Sequence, residues 1–149
     1  ITELDGAEID FAVCGGMALA MHGFPRFTKD IDLLIPRANL DAAIDAARRC
    51  GFKDEVEIIR LGSQSGRPCE IHRINKFQDE DFLTLDLILV NPTLESVWTG
   101  HEKFQWQGCS LPVVSRAGLA KMKLIAGRPQ DLADVQNLGF ALDDATIQP

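Results

Sequence analysis

The sequence predicts an α+β fold in which helices pack on a mixed β-sheet. Three observations lead to this prediction: strand-like and helix-like segments alternate irregularly, two strands form a predicted hairpin, and one strand carries a leucine at every second position. The 149 residues suit a single domain spanning residues 1–149. With 46% hydrophobic and 25% charged residues, the composition is that of a folded globular protein.

Two strands and two helices are predicted in the first 50 residues. In chain order they are a strand over residues 9–14, a short helix over 17–22, a strand over 31–35 and a helix from about 38 to 50. Each ends at a residue that interrupts regular structure: Gly15, Gly23, Pro36 and Gly51.

The second half opens with a predicted hairpin, whose strands cover residues 56–61 and 69–74 and whose turn covers 62–66. The clearest strand spans residues 82–90, where Leu83, Leu85, Leu87 and Leu89 must face a core. A short strand over residues 111–114 precedes a helix capped by Ser115 and ended by Gly127. Pro129 begins a last helix, whose predicted apolar stripe is Leu132, Val135, Leu138 and Leu142.

Charge and composition exclude several classes of function. The net charge of −7 argues against a broad surface for nonspecific nucleic-acid binding, although a local basic site remains compatible with it. The apolar stretches are far shorter than the roughly 20 residues that cross a bilayer. The four cysteines contain no CxxC pair, which predicts reduced, mostly buried thiols and a cytoplasmic protein. The three histidines share no metal-ligand spacing.

Three aspartates are the strongest candidates for chemistry. Asp30 and Asp32 alternate at the start of a strand and therefore share one face, and Asp86 projects from the leucine-free face of a later strand. If the two strands are neighbours, the three carboxylates converge. Two carboxylates about 5 Å apart repel by roughly 3 kcal/mol at an effective dielectric near 20. A hard divalent cation removes this repulsion, and an all-oxygen site favours Mg²⁺ or Mn²⁺.

Gly15 and Gly16 supply a second component at a strand-to-helix turn. Two glycines let a ligand approach the backbone closely, and amides at the start of a helix attract an anion such as a triphosphate. The segment is neither a P-loop nor a GxGxxG fingerprint. Taken with the carboxylates, it predicts metal-assisted phosphoryl or nucleotidyl transfer.

These motifs resemble those of the nucleotidyltransferase superfamily related to DNA polymerase beta. The resemblance rests on Gly15-Gly16, the segment R-F-T-K-D-I-D at residues 26–32, and Asp86 in a later apolar strand. The tail, with Lys123, A-G-R-P at residues 126–129, Asp131 and Asp134, is similar to that of bacterial minimal nucleotidyltransferase-like proteins. Several of those belong to toxin–antitoxin or abortive-infection systems, including the AbiEii-like toxins. The resemblance spans about residues 9–138.

The resemblance implies a role for each matching residue. Asp30 and Asp32 would bind the metals that carry the nucleoside triphosphate, and Asp86 would complete a second metal site and help to activate the acceptor hydroxyl. The remaining nucleotide-binding candidates are Gly15, Gly16, Arg26, Thr28, Lys123 and Arg128. Many relatives carry serine at the position of Gly16, so a phosphate contact there must come from the backbone.

Several of these positions also have purely structural interpretations. Lys123 could complement the C-terminal end of its helix, and Arg128 could pair with Asp131 or Asp134 instead of meeting phosphate.

The predicted function is Mg²⁺- or Mn²⁺-dependent transfer of NMP from an NTP to an acceptor, within a toxin–antitoxin or abortive-infection system. A catalytically weak, nucleotide-binding antitoxin or partner-binding module of the same fold is the alternative, and a plain phosphohydrolase is a third. The acceptor stays open between RNA, protein and a small molecule, as does the choice of NTP. The expected partner is a toxin or antitoxin protein or a second copy of the chain.

Overall fold

The computed structural model describes residues 2–25, 27–61 and 68–142. Two predictions lie outside those residues: the nucleotide contact of Arg26 and the hairpin turn at 62–66. The helices are α1 (Thr2–Gly6), α2 (Gly15–Met21), α3 (Leu40–Arg49, preceded by a 3-10 turn at Arg37–Asn39), α4 (Glu95–Thr99), α5 (Arg116–Ala126) and α6 (Pro129–Asn137). The strands are β1 (Ala12–Val13), β2 (Asp30–Ile35), β3 (Glu57–Leu61), β4 (Cys69–Gln78), β5 (Asp81–Leu89), β6 (Glu102–Trp106) and β7 (Cys109–Val113).

All seven strands join one mixed sheet in the order β3-β4-β5-β2-β1-β7-β6. The β2–β5 and β1–β7 pairs are parallel, and the other neighbours are antiparallel. The predicted α+β class and the predicted hairpin of β3 with β4 are therefore confirmed. Because β2 and β5 lie side by side at the centre of the sheet, the strands that carry the three aspartates are direct neighbours.

The leucine-rich face of β2 and β5 packs against α1 and α3. Leu33, Leu85 and Leu87 are buried there, and with α1 and the alanines of α3 they enclose an apolar cavity of about 250 Å³. Period-two geometry sends the intervening aspartates to the opposite face. Burying the leucines thus fixes the orientation of the carboxylates, since a register shift by one residue would exchange the two faces.

The ends of α5 and α6 match the sequence prediction. The Gly118 N–H donates to the Ser115 Oγ, which caps α5. Gly127 ends α5 with a φ of 67°, a left-handed conformation that favours glycine. Pro129 occupies the first turn of α6, where its missing N–H has no partner to lose. These two ends set the turn that brings α6 back against α5.

Other predictions were wrong at the level of individual elements. Residues 9–14 contribute only the two-residue strand β1, and α2 begins at Gly15, two residues earlier than predicted. Leu142 lies beyond the end of α6 and is 43% exposed, so it does not belong to the apolar stripe. The sequence prediction missed α1, α4 and β6.

The four cysteines are free thiols, but they are not mostly buried. Only Cys14 is buried, while Cys50 and Cys109 are exposed and Cys69 lies between. Burial and the nearby carboxylates raise the pKa of the Cys14 thiol well above its usual value. Over the described part of the chain, no helix is long and apolar enough to span a membrane.

Candidate active site

The three aspartates lie close together on the two central strands β2 and β5, near the start of β2. In the parallel register of β2 and β5, Asp32 lies directly opposite Asp86, and Asp30 lies opposite Thr84. Directly paired residues place their side chains on the same face of a sheet. Asp86 is only 5% exposed and Asp32 is half-buried, whereas Asp30 is exposed. We call these three residues the sheet carboxylates, and the structure brings them together as the sequence indicated.

Gly15 makes room for Asp32 at the start of α2. A Cβ atom on Gly15 would lie 1.9 Å from the Asp32 Oδ2, and the glycine has a φ of 62°. Any other residue would therefore meet both a clash and a strained backbone. The Asp32 carbonyl accepts from the Cys14 N–H at 2.9 Å, and the backbone of Gly16 donates to the Asp32 carboxylate. The diglycine turn is thus attached to Asp32 on both sides.

Thr28 connects Gly16 with Asp30. Its Oγ1 accepts from the Asp30 N–H at 3.1 Å, and a Cβ on Gly16 would approach the Thr28 side chain to 3.2 Å. Thr28 therefore fixes the start of β2 against the diglycine turn. The neighbouring Phe27 is 86% exposed.

The electrostatics of Asp32 suit a cation. Burial, and then the negative charges of Asp86 and Asp30, raise the pKa of Asp32 to about 6. The bond from Gly16 and the charge of Lys123 act in the opposite direction and do not overcome these effects. A carboxylate that resists ionisation beside another carboxylate is a site where bound positive charge is favourable. Asp30 and Asp32 offer carboxylate oxygens on one face of β2, and such oxygens are the donors that Mg²⁺ and Mn²⁺ prefer.

Asp86 is engaged differently, because Arg73 holds it. The Arg73 Nε donates to the Asp86 Oδ1 at 2.8 Å, and its Nη2 donates to Oδ2 at 2.7 Å. Across the part of the chain that is described, no group of three or more His, Cys, Asp or Glu side chains is placed to hold a metal ion. The predicted metal ligation by Asp30, Asp32 and Asp86 stays a prediction, and in this structure the Asp86 carboxylate contacts an arginine.

The sequence prediction missed Arg73 and its neighbour Asn75. Both lie on β4, where Arg73 pairs with Asp86 and Asn75 pairs with Thr84. The Asn75 Oδ1 is buried without a hydrogen-bond partner among the described residues. The strand itself was predicted, and its alternating polar residues were a signal, but their partners depend on a register that the sequence does not give.

A second group of charges, which we call the helix cluster, lies on α5 and α6 and consists of Lys123, Arg128, Asp131 and Asp134. Lys123 is 5% exposed, and its Nζ lies 2.6 Å from the Asp134 Oδ2 and 3.3 Å from the Asp131 Oδ1. Arg128 donates to both oxygens of Asp131, at 2.6 and 3.2 Å. Of the alternatives for Arg128, pairing with Asp131 is therefore realised in the structure.

The helix cluster is electrostatically satisfied. Burial would raise the pKa of Asp131, but the hydrogen bond from Arg128 and the charges of Arg128 and Lys123 outweigh it and lower that pKa. The cluster adjoins the sheet carboxylates, since the charge of Lys123 acts on Asp32 and the charges of Asp32 and Asp30 act on Arg128. A phosphate-bearing ligand between the two groups would meet both.

Comparison with known proteins points to one family. The profile of the family described as nucleotidyl transferase AbiEii toxin, type IV toxin–antitoxin system, matches residues 3–139. No curated protein matches the chain significantly.

Several solved structures have a similar fold, and two of the three given below are described as nucleotidyltransferase or nucleotidyltransferase-like proteins. A proposed nucleotidyltransferase from Thermotoga maritima is 15% identical with a TM-score of 0.60, covering 91% of this chain and 85% of that one. ANT(2″)-Ia, solved in complex with adenylyl-2″-tobramycin, is 11% identical with a TM-score of 0.60 and 99% and 87% coverage. An antigenic nucleotidyltransferase-like protein from Paracoccidioides brasiliensis is 17% identical with a TM-score of 0.53 and 92% and 70% coverage. At these identities the likeness is one of fold.

Proposed function

Because the chain belongs to the AbiEii nucleotidyl transferase toxin family of type IV toxin–antitoxin systems, we propose that it moves an NMP group from an NTP to an acceptor and releases pyrophosphate. The observation that carries this proposal is the row formed by Asp32 and Asp86 across β2 and β5, beside the diglycine turn. It gathers negative charge beside the start of α2, where Asp32 fits against Gly15.

Asp30 and Asp32 are the proposed ligands of a divalent ion, Mg²⁺ or Mn²⁺. When bound, such an ion would carry the triphosphate and stabilise negative charge that develops during in-line attack on the α-phosphorus. The Gly16 amide donates to the Asp32 carboxylate, which orients it before any ion arrives, and the Thr28 hydroxyl holds the backbone of Asp30 at the start of β2.

The residues proposed to contact the triphosphate differ in how exposed their side chains are. The Arg128 side chain is 73% exposed and can exchange part of its contact with Asp131 for a phosphate oxygen. Lys123 is buried between two carboxylates, so its contribution is the positive charge that it directs towards Asp32 and a bound anion. Gly15 and Gly16 would bring the backbone close to the phosphates, with Thr28 and Arg26 at the mouth.

The acceptor is proposed only as a class: an RNA end, a protein side chain or a small molecule. ANT(2″)-Ia, with its adenylylated tobramycin, is a case of the last class on the same fold. The family favours a protein partner, and we propose an antitoxin or a second copy of the chain in the cytoplasm.

A labelling experiment tests the function. The protein is incubated with each α-³²P-labelled NTP, Mg²⁺ or Mn²⁺ and cell extract, and the RNA, protein and small-molecule fractions are separated and counted. We expect label in one fraction, lost with EDTA and with Asp32→Asn, and kept with Asp41→Asn, which changes an exposed aspartate on α3. Equal labelling by Asp32→Asn, or no labelled fraction with the wild type, would contradict the proposal.

One observation favours the alternative of a weak, nucleotide-binding partner module. Asp86 already has an arginine on both of its oxygens, so it is not free as a ligand. On this alternative, calorimetry would detect binding of NTP with Mn²⁺, while no NTP would label any fraction or any purified partner.

A further inference from the structure

Three strands present a continuous row of charged side chains on one face of the sheet. Arg73 on β4 pairs with Asp86 on β5, and Asp86 pairs with Asp32 on β2. Directly cross-paired side chains are neighbours. The guanidinium of Arg73 is therefore part of the same site as the sheet carboxylates, at the far end of the row from Asp32.

The contact between Arg73 and Asp86 uses both oxygens of the carboxylate. Two parallel N–H···O bonds, at 2.8 and 2.7 Å, form the bidentate geometry for which the guanidinium is pre-organised. The Asp86 side chain is only 7% exposed, and the Arg73 side chain is 36% exposed. A divalent ion that took Asp86 as a ligand would have to break this contact or lie against a fixed positive charge.

The charge of Arg73 is permanent. A guanidinium stays protonated throughout the pH range in which proteins fold. The sheet carboxylates carry −3 when ionised and Arg73 carries +1, which leaves −2. One divalent ion brings the total charge of these four side chains and the ion to zero, whereas two ions would bring it to +2.

We propose that Arg73 is a built-in cation that takes, at Asp86, the place of a second divalent ion, so that the chain binds a single ion through Asp30 and Asp32. Arg73 is then a positioning residue for Asp86, and Asp86 is held in one orientation by it. The role of Arg73 in catalysis rests on the proposed function. The number of bound ions does not, because ions can be counted without nucleotide or acceptor.

The experiment is a titration with Mn²⁺ alone, in which free Mn²⁺ is followed by electron paramagnetic resonance. Binding to the wild-type protein is compared with that to an Asp30→Asn/Asp32→Asn double variant, so that binding by surface carboxylates is subtracted. We expect one specific ion per chain. Asp86→Asn should leave its affinity within about threefold, whereas Asp32→Asn should weaken it by about tenfold or more.

Two substitutions of Arg73 sharpen the test. Arg73→Gln frees Asp86 and should add a second specific ion, whereas Arg73→Lys keeps a cation and should leave the count at one. Far-ultraviolet circular dichroism checks that the variants fold, and the Asp86→Asn result decides the proposal even if Arg73→Gln does not fold.

Two specific ions on the wild type, or a tenfold weaker ion in Asp86→Asn, would overturn the role of Arg73. A count of one together with no nucleotide transfer would instead overturn the proposed function and leave the role of Arg73 intact. Nucleotide transfer by a wild-type protein with two bound ions would support the proposed function and overturn the role of Arg73.

Discussion

The two groups of carboxylates at this site adjoin each other and behave in opposite ways. Among the sheet carboxylates, burial and mutual repulsion raise the pKa of Asp32 to about 6. In the helix cluster, Asp131 is only 1% exposed, yet its pKa is lowered, because Arg128 and Lys123 bind it. The pKa values of the two aspartates therefore move in opposite directions because Asp131 has cations in direct contact, whereas Asp32 has two carboxylates beside it.

The balance of charge distinguishes a group of residues that stabilises the fold from one that is suited to bind a cation. Lys123 and Arg128 contribute +2 to the helix cluster, and Asp131 and Asp134 contribute −2, so that the cluster sums to zero and can be stable without a ligand. The sheet carboxylates with Arg73 sum to −2, and the charge of Lys123 acts on Asp32 without overcoming the repulsion among them. Uncompensated buried charge lowers stability and is retained where it serves a reaction.

The largest expected effect comes from breaking the balance of the helix cluster. Lys123→Met fills a similar volume but leaves two buried carboxylates without their shared cation, and it should lower the free energy of unfolding by about 3–5 kcal/mol. Urea unfolding followed by circular dichroism measures it. Lys121→Met, on the same helix and bonded to the Ser96 hydroxyl, is the matched control, with a loss of about 1 kcal/mol. Equal losses in the two variants would contradict a special role for Lys123.

Removing a charge from the sheet carboxylates should have the opposite sign. Asp32→Asn keeps the shape and an acceptor for the Gly16 N–H but relieves the repulsion, so in EDTA at about pH 7.5 it should raise the free energy of unfolding by about 1–3 kcal/mol. The same urea experiment measures this gain. Asp41→Asn on α3 serves as control and should stay within about 0.5 kcal/mol of the wild type. A destabilised Asp32→Asn would mean that Asp32 is already compensated by the chain.

The pH dependence should distinguish the two groups within one titration. The folded-state pKa of Asp32 lies above its ordinary value of 3.8, so stability due to its proton is present below 3.8 and is lost as the pH rises through about 6. The gain from Asp32→Asn should therefore vanish on acidification. For Asp131 the pKa is lowered, so the penalty of Asp131→Asn should be full above 3.8 and disappear below it. Parallel pH profiles for the two variants would refute the contrast.

The sequence was sufficient for the parts of this site that depend on local pattern. Alternation placed Asp30 and Asp32 on one face and Asp86 opposite the leucines, and Ser115 and Gly127 marked the ends of α5. The sequence did not show that the strands carrying these aspartates are neighbours. The sheet order shows that β2 and β5 are.

What could not be predicted depends on long-range register and burial. The contact of Arg73 with Asp86 requires the pairing of β4 with β5, and no pattern within either strand specifies it. The burial of Lys123 depends on how α6 returns against α5, which the spacing of Lys123, Asp131 and Asp134 allowed but did not require. The short helices α1 and α4 span five residues each and are too brief for a periodic signal.

The smallest expected effect concerns the exposed member of the helix cluster. Arg128→Gln removes one of two cations from Asp131, but the guanidinium is largely solvated, so the free energy of unfolding should fall by only about 0.3–1 kcal/mol. The loss should shrink at high salt, because solvent screens the pair. Arg49→Gln, which removes an exposed pair with Glu3, is the control and should give a similar loss.

If Arg128→Gln instead weakened the fold as much as Lys123→Met, both cations would belong to one buried network and Arg128 could not turn towards a ligand. A small, salt-sensitive loss, combined with weaker binding of NTP in calorimetry, would assign the two cations different tasks. Lys123 would then hold the helix cluster together, and Arg128 would be the cation that the cluster can release to a phosphate.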